Sequence, residues 1–223
     1  MTSRDRFRST ALRALRDPDA LSARLQAVRT EPSALPLNDG VDRLRGRLGE
    51  GESVPWFDPA SGGIEARSLF LLEAPGQKSM GAGAALRRTG SGIISIDNGD
   101  PTARNCWMLR AEAGLPYWES LHWNIVPWYL GTADRIAAPG QTEIQRAAPF
   151  LHEVISMLPA LEVVVPMGRK AQAGWATYQE RYAPKVHTLP TWHPSPRVFA
   201  SRPAARQEIL DVLRRAAELL GAG

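Results

Sequence analysis

The chain has a single cysteine, Cys106, among its 223 residues. An internal disulfide is thereby excluded, and so is any metal or iron–sulfur site built from cysteines alone. No run of roughly eighteen apolar residues occurs, so no membrane-spanning helix is expected. Met1 to Arg16 is polar and arginine-rich without an apolar segment, so no secretory signal is expected there. With neither disulfide nor signal, the expected setting is intracellular and cytoplasmic. Lysine is scarce too: Lys78, Lys170 and Lys185 are the only three among 27 basic residues. The rest are arginines, whose planar fork grips phosphates well. A net charge of only +4 permits a phosphate-bearing partner without demanding one. No Gly-x-Ser-x-Gly elbow is present, which argues against an α/β hydrolase.

What is present is an alternation of strands and helices. Phe7, Leu12, Leu15, Leu21, Leu25 and Val28 have roughly helical spacing, broken at Asp17-Pro18, and predict two short outer helices. Ser33 to Gly63 reads as an ordered, non-repetitive lead-in. From Ser68 the pattern becomes regular, with strands expected at 68–73, 120–126, 162–166 and 186–191. Helices are expected at 101–113, 142–158 interrupted or kinked at Pro149, 169–182 and 202–220. Such alternation implies right-handed crossovers and a three-layer α/β/α domain around a four-stranded parallel sheet. Residues 64–223 would form that domain, with 1–63 as N-terminal helices and lead-in packed on it. Ligands of such folds bind beyond the carboxyl ends of the strands. Those ends here are Glu73 to Gly76, Asn124 to Trp128, Met167-Gly168, and the loop from Thr191.

That last loop, Thr191-Trp192-His193-Pro194-Ser195-Pro196-Arg197, is stiffened by two prolines that fix φ and hold their predecessors extended. It presents an imidazole, a hydroxyl and a guanidinium from a strand end. The Met80 to Asp100 stretch is rich in Gly and Ser and carries Arg87 and Arg88 just past Lys78, a composition suited to phosphates.

Together these pieces resemble the uracil-DNA glycosylase superfamily over roughly residues 64 to 219. Leu72-Glu73-Ala74-Pro75-Gly76 is similar to a strand-end motif of its bacterial and archaeal thermostable branch, and His193 to Pro196 to its His-Pro-Ser-Pro loop. Asn124-Ile125-Val126 resembles the strand whose asparagine reads the base, and Val164 to Ala171 the third strand with its helix. The resemblance implies a monofunctional DNA glycosylase acting on uracil or a related deaminated base. His193 would donate to the charge developing on uracil O2. Asn124 would select the base by its paired acceptor and donor, alongside Ala74, Pro75, Gly76 and Gln77. Ser79 and Ser195 would hold phosphates, with Lys78 and Arg197 as further DNA contacts.

The departures from the family pattern matter as much. Ala74 stands where other branches carry the Asp or Asn that activates water, leaving Glu73, with Asp97 and Asp100 as rivals, to orient it. The four-cysteine cluster of related branches cannot form, because two ligand positions hold Trp128 and Ala147 and no N-terminal cysteine pair exists. No aromatic residue for stacking on the base lies in 77–100, so Trp123, Trp128 or Trp192 would substitute. His122, His152 and His187 read as structural. The expectation is a monomer without cofactor or metal, with DNA as partner; the rival is a non-enzymatic binder of damaged or abasic DNA.

Overall fold

A computed structural model describes residues 11–49, 53–81, 89–132 and 137–221. The first helix, α1 (Pro18–Ala27), starts where Asp17 accepts from the backbone of Asp19 and Ala20, with Pro18 in the first turn. The expected helix before it is a single turn at Ala14–Arg16, and residues 1–10 lie outside the described ones. The lead-in is not irregular: it contains α2 (Leu35–Leu48). Gly40 and Gly46 hid this helix, since each weakens a helix by about 1 kcal/mol relative to alanine. Burial of Leu37, Val41 and Leu44 on one face offsets that cost.

The central sheet holds β2 (Ser68–Leu72), β4 (Ser120–Asn124), β5 (Val163–Pro166) and β6 (His187–Thr188) in the order β4-β2-β5-β6, all parallel. A second, two-stranded parallel pair joins β1 (Trp56–Phe57) to β3 (Ile93–Ile94). The last sheet strand is shorter than expected because Pro190 brings no N–H to the ladder. Past it, Thr191 rejoins through a bridge to Met167.

Side chains alternate across the sheet as strand pleating dictates. Leu69, Leu71, Leu121, Trp123 and Val164 meet α2, α4 (Gln141–Ser156) and α5 (Arg169–Tyr182) on one face. Phe70, Val163 and Val165 meet α3 (Pro101–Glu112) and α7 (Ala205–Gly221) on the other. Helix α4 runs through Pro149 as one element, so of the two expected outcomes there the interruption is absent. A short helix, α6 (Pro196–Ser201), stands between the histidine loop and α7, where a plain loop was expected. No helix among the described residues is long and apolar enough to cross a membrane.

Candidate functional site

Parallel strands deliver their C-terminal loops to one edge, and a cleft of about 1620 Å³ opens there. The Glu73 loop and the Asn124 loop are stitched together by backbone bonds from Ile125 N to Leu72 O (2.8 Å) and Val126 N to Glu73 O (3.1 Å). Glu73 to Ser79, Asp100, Asn124, Gly168, His193, Ser195 and Arg197 all line the cleft.

His193 sits on a well-braced loop. Thr191 O accepts from Gly168 N at 2.8 Å and from the Gln172 side chain at 2.7 Å, and Asn105 donates to Pro194 O at 2.8 Å. Ser195 caps α6 by accepting from Val198 N. Gly168 is the pivot, because its φ is 94° and a methyl group there would come within 2.9 Å of His193 Cβ and 3.2 Å of Glu73 Oε1. Only glycine lets the imidazole and the carboxylate approach the strand end together. Burial lowers the His193 pKa from 6.5, with Glu73 and Asp100 pulling the other way. The imidazole is therefore a neutral N–H donor at physiological pH.

Asn124 closes β4 and is only 3% exposed. Its Nδ2 is enclosed without a hydrogen-bond partner among the described residues. Leaving such a group unpaired costs about 1–3 kcal/mol, so the position favours a ligand that supplies an acceptor. His122, on the same face two residues earlier, also lines the cleft with an unpaired Nδ1. Sequence reading passed over this residue for want of a motif. Its spacing from Asn124 was the available signal, since residues i and i+2 of a strand share a face.

The acids separate by surroundings. Glu73 lines the cleft, and no hydrogen bond or ion pair engages its carboxylate among the described residues. Asp100 lines it as well, but its Oδ1 is committed to capping α3 through Ala103 N at 2.9 Å. Asp97 does not belong with them. It is fully buried, away from the cleft lining, paired to Arg24 at 3.1 Å beside Asp58, which Arg24 holds at 2.6 Å. Burial and the neighbouring Asp58 raise the Asp97 pKa to about 7. Two carboxylates share one guanidinium, and the surplus negative charge is relieved by a proton. The correction follows from topology: the 91–98 segment, expected as an open glycine-rich excursion, is buried beneath the N-terminal helices.

Pro75 is buried in the cleft wall, Ala74 is half-buried and Gly76 is exposed. Gln77 donates to Thr132 O at 3.4 Å. Ser79 accepts from Asn98 Nδ2, whereas Lys78 and Arg197 are exposed at the rim beside Arg169, Lys170 and Arg202. Arg87 and Arg88 lie outside the described residues. Of the three tryptophans considered for stacking, two are core. Trp123 stacks on Phe57 at 3.8 Å, and Trp128 meets Phe150 edge-on. Trp192 alone of the three lines the cleft, and the Arg202 guanidinium covers its ring at 4.1 Å.

A four-cysteine cluster does not fit. Trp128 and Ala147 are buried in the apolar core, and burial pushes the Cys106 thiol up to about 12. Among the described residues no group of three or more His, Cys, Asp or Glu side chains is placed to hold a metal ion.

Comparison with known proteins bears on the whole arrangement. Residues 59–214 match the model of a protein family, the uracil DNA glycosylase superfamily. Among solved structures, the chain is similar to wild-type SMUG2 of Pedobacter heparinus at 14% identity and a TM-score of 0.48, covering 71% of this chain and 77% of that one. No curated protein matches.

Proposed function

Because the chain belongs to the uracil DNA glycosylase superfamily, a family of DNA glycosylases that are hydrolases of base excision repair, we propose that it hydrolyses the N-glycosidic bond of uracil, or a related deaminated base, in DNA. The observation that carries this reading is the buried, unpartnered Nδ2 of Asn124 in the same cleft as the neutral His193. A base inside a duplex cannot reach that depth, so the nucleotide flips out, at a cost of roughly a few kcal/mol. Asn124 pairs with the carbonyl and ring N–H of the extruded base. His193 donates to the carbonyl oxygen that gains charge as the bond breaks. Glu73, the unengaged carboxylate, orients the attacking water toward the oxocarbenium-like sugar. Ser79 and Ser195 hold the flanking phosphates, with Lys78 and Arg197 adding charge. Lys78 is the only lysine in the Glu73 and His193 loops, and it and Lys170 are both exposed at the rim, so no Schiff-base lyase step is expected and the enzyme is monofunctional. The domain that begins at residue 64 supplies this machinery as a monomer without cofactor, and the described residues that precede it, Arg24 and Asp58 among them, brace it.

The test is release of free uracil from a single-stranded deoxyuridine oligonucleotide by the parent, His193→Ala and Asn124→Ala. The parent releases uracil, and His193→Ala lowers the rate about 10²–10³-fold. The methyl group at Ala74 favours one rival, a non-catalytic binder of damaged or abasic DNA. Tight binding of an abasic oligonucleotide by a parent that releases nothing would establish that rival. Neither release nor binding would sink both.

A further inference from the structure

One buried polar group in the cleft has no part in that chemistry. His122 precedes Asn124 by two residues on β4, so the two side chains leave one face of the strand a single pleat apart. Its ring stacks on Phe70, with centroids 4.8 Å apart and planes 13° apart, and the Tyr117 ring lies tilted at 5.8 Å. No hydrogen bond reaches the imidazole among the described residues, and Nδ1 is fully enclosed. Burial, aided by the positive charge of Arg110, lowers its pKa to about 3. The ring is therefore neutral and carries one N–H and one lone pair. A ring that merely filled this space would do so better as phenylalanine, which leaves no polar atom unpaired.

We propose that His122 is a specificity-determining residue, a second reader of the extruded base that donates an imidazole N–H to the same exocyclic carbonyl oxygen as Asn124. The assignment rests on the uracil glycosylase reading and extends it. A carbonyl oxygen has two lone pairs, and one amide fills only one of them. An asparagine amide alone discriminates poorly between uracil and cytosine. Turned over, it offers its oxygen to the cytosine amino group and its N–H to the ring nitrogen. No hydrogen bond among the described residues holds the Asn124 amide in one orientation. A second N–H directed at the 4-position removes this degeneracy, because it is satisfied by the carbonyl of uracil and opposed by the amino group of cytosine. With Nδ1 enclosed and no acceptor beside it, the proton belongs on Nε2, the nitrogen left to meet the cleft.

The experiment compares the full chain with His122→Phe and His122→Leu. It measures inhibition of uracil release by free uracil and by free cytosine, affinity for an abasic oligonucleotide, and Tm. Phenylalanine is expected to weaken inhibition by uracil about tenfold, the loss of one hydrogen bond. Inhibition by cytosine is unchanged or stronger, affinity for the abasic strand (which has no base to read) stays within about twofold, and Tm is equal or higher. The leucine variant gives the same pattern should phenylalanine overfill the site. Uracil inhibition equal to the parent's in either folded variant overturns the proposal. So does an equal loss toward uracil, cytosine and the abasic strand, which would mark the ring as structural. A parent that releases no uracil overturns the glycosylase reading itself and this assignment with it, a result distinct from release that is indifferent to position 122.

Discussion

At the scale of single residues, the cleft sorts its carboxylates by what already occupies their oxygens. Asp100 spends an oxygen on the first turn of α3, and Asp97 is held inside by Arg24, whereas the Glu73 carboxylate is unengaged among the described residues. Two isosteric substitutions follow. Glu73→Gln removes the charge that orients water and is expected to lower kcat at least about 100-fold with substrate affinity retained. Asp100→Asn keeps a capping oxygen and removes only a charge beside His193, so a loss below about tenfold is expected. Single-turnover base release decides between them; the opposite ranking would move the water to Asp100. Asn124, His193 and Glu73 were each legible in the sequence as residues at strand ends. Their protonation and pairing were not, because these depend on neighbours distant along the chain.

Among the elements, the joint between α1 and the 91–100 segment has the clearest consequence. Arg24 from α1 reaches Asp58 and Asp97, Tyr117 OH donates to Asp58 at 2.9 Å, and Leu15 N donates to Asp97 O. Ser95, Ile96, Gly99 and Asp100 of this segment line the cleft, so the N-terminal helix braces one wall of the site. Folded Asp97 keeps its proton up to about pH 7, whereas the unfolded side chain loses it near 3.8. Across that window the folded state binds more protons, and stability falls as pH rises. His122 acts in the opposite sense: unfolded it takes a proton below 6.5 and folded only near 3, so its contribution is lost on acidification. Asp97→Asn removes the first effect alone and leaves Arg24 a neutralising partner in Asp58. Its Tm relative to the parent is expected to rise between about pH 5 and pH 7.5; a constant offset between the two profiles would remove the buried proton from the account.

For the whole molecule, charge is a matter of placement. A net charge of +4 is modest, yet Lys78, Arg169, Lys170, Arg197 and Arg202 all stand around one cleft. Binding of a single strand should therefore weaken with salt, each phosphate contact contributing about 0.7 to the logarithmic slope. Arg169→Ala and Arg197→Ala are each expected to reduce the slope by about that amount, read from fluorescence anisotropy titrations over a range of salt. Slopes equal to the parent's would place the strand elsewhere on the surface.

The strand–helix alternation, the parallel sheet and the edge that carries the site were all written in the local pattern. Apolar runs and prolines constrain the backbone within a few residues, and parallel topology then sends every strand end to the same side. Helix α2 escaped because its glycines mask a face whose burial only tertiary packing, against β1, the central sheet and α4, supplies. That Asp97 is withdrawn from the cleft while Glu73 and Asp100 line it, which tryptophan reaches it, and that His122 joins Asn124 inside it were decided by the tertiary structure. Burial and electrostatic pairing act between residues such as Arg24 and Asp97, far apart in the chain and in contact only once it has folded.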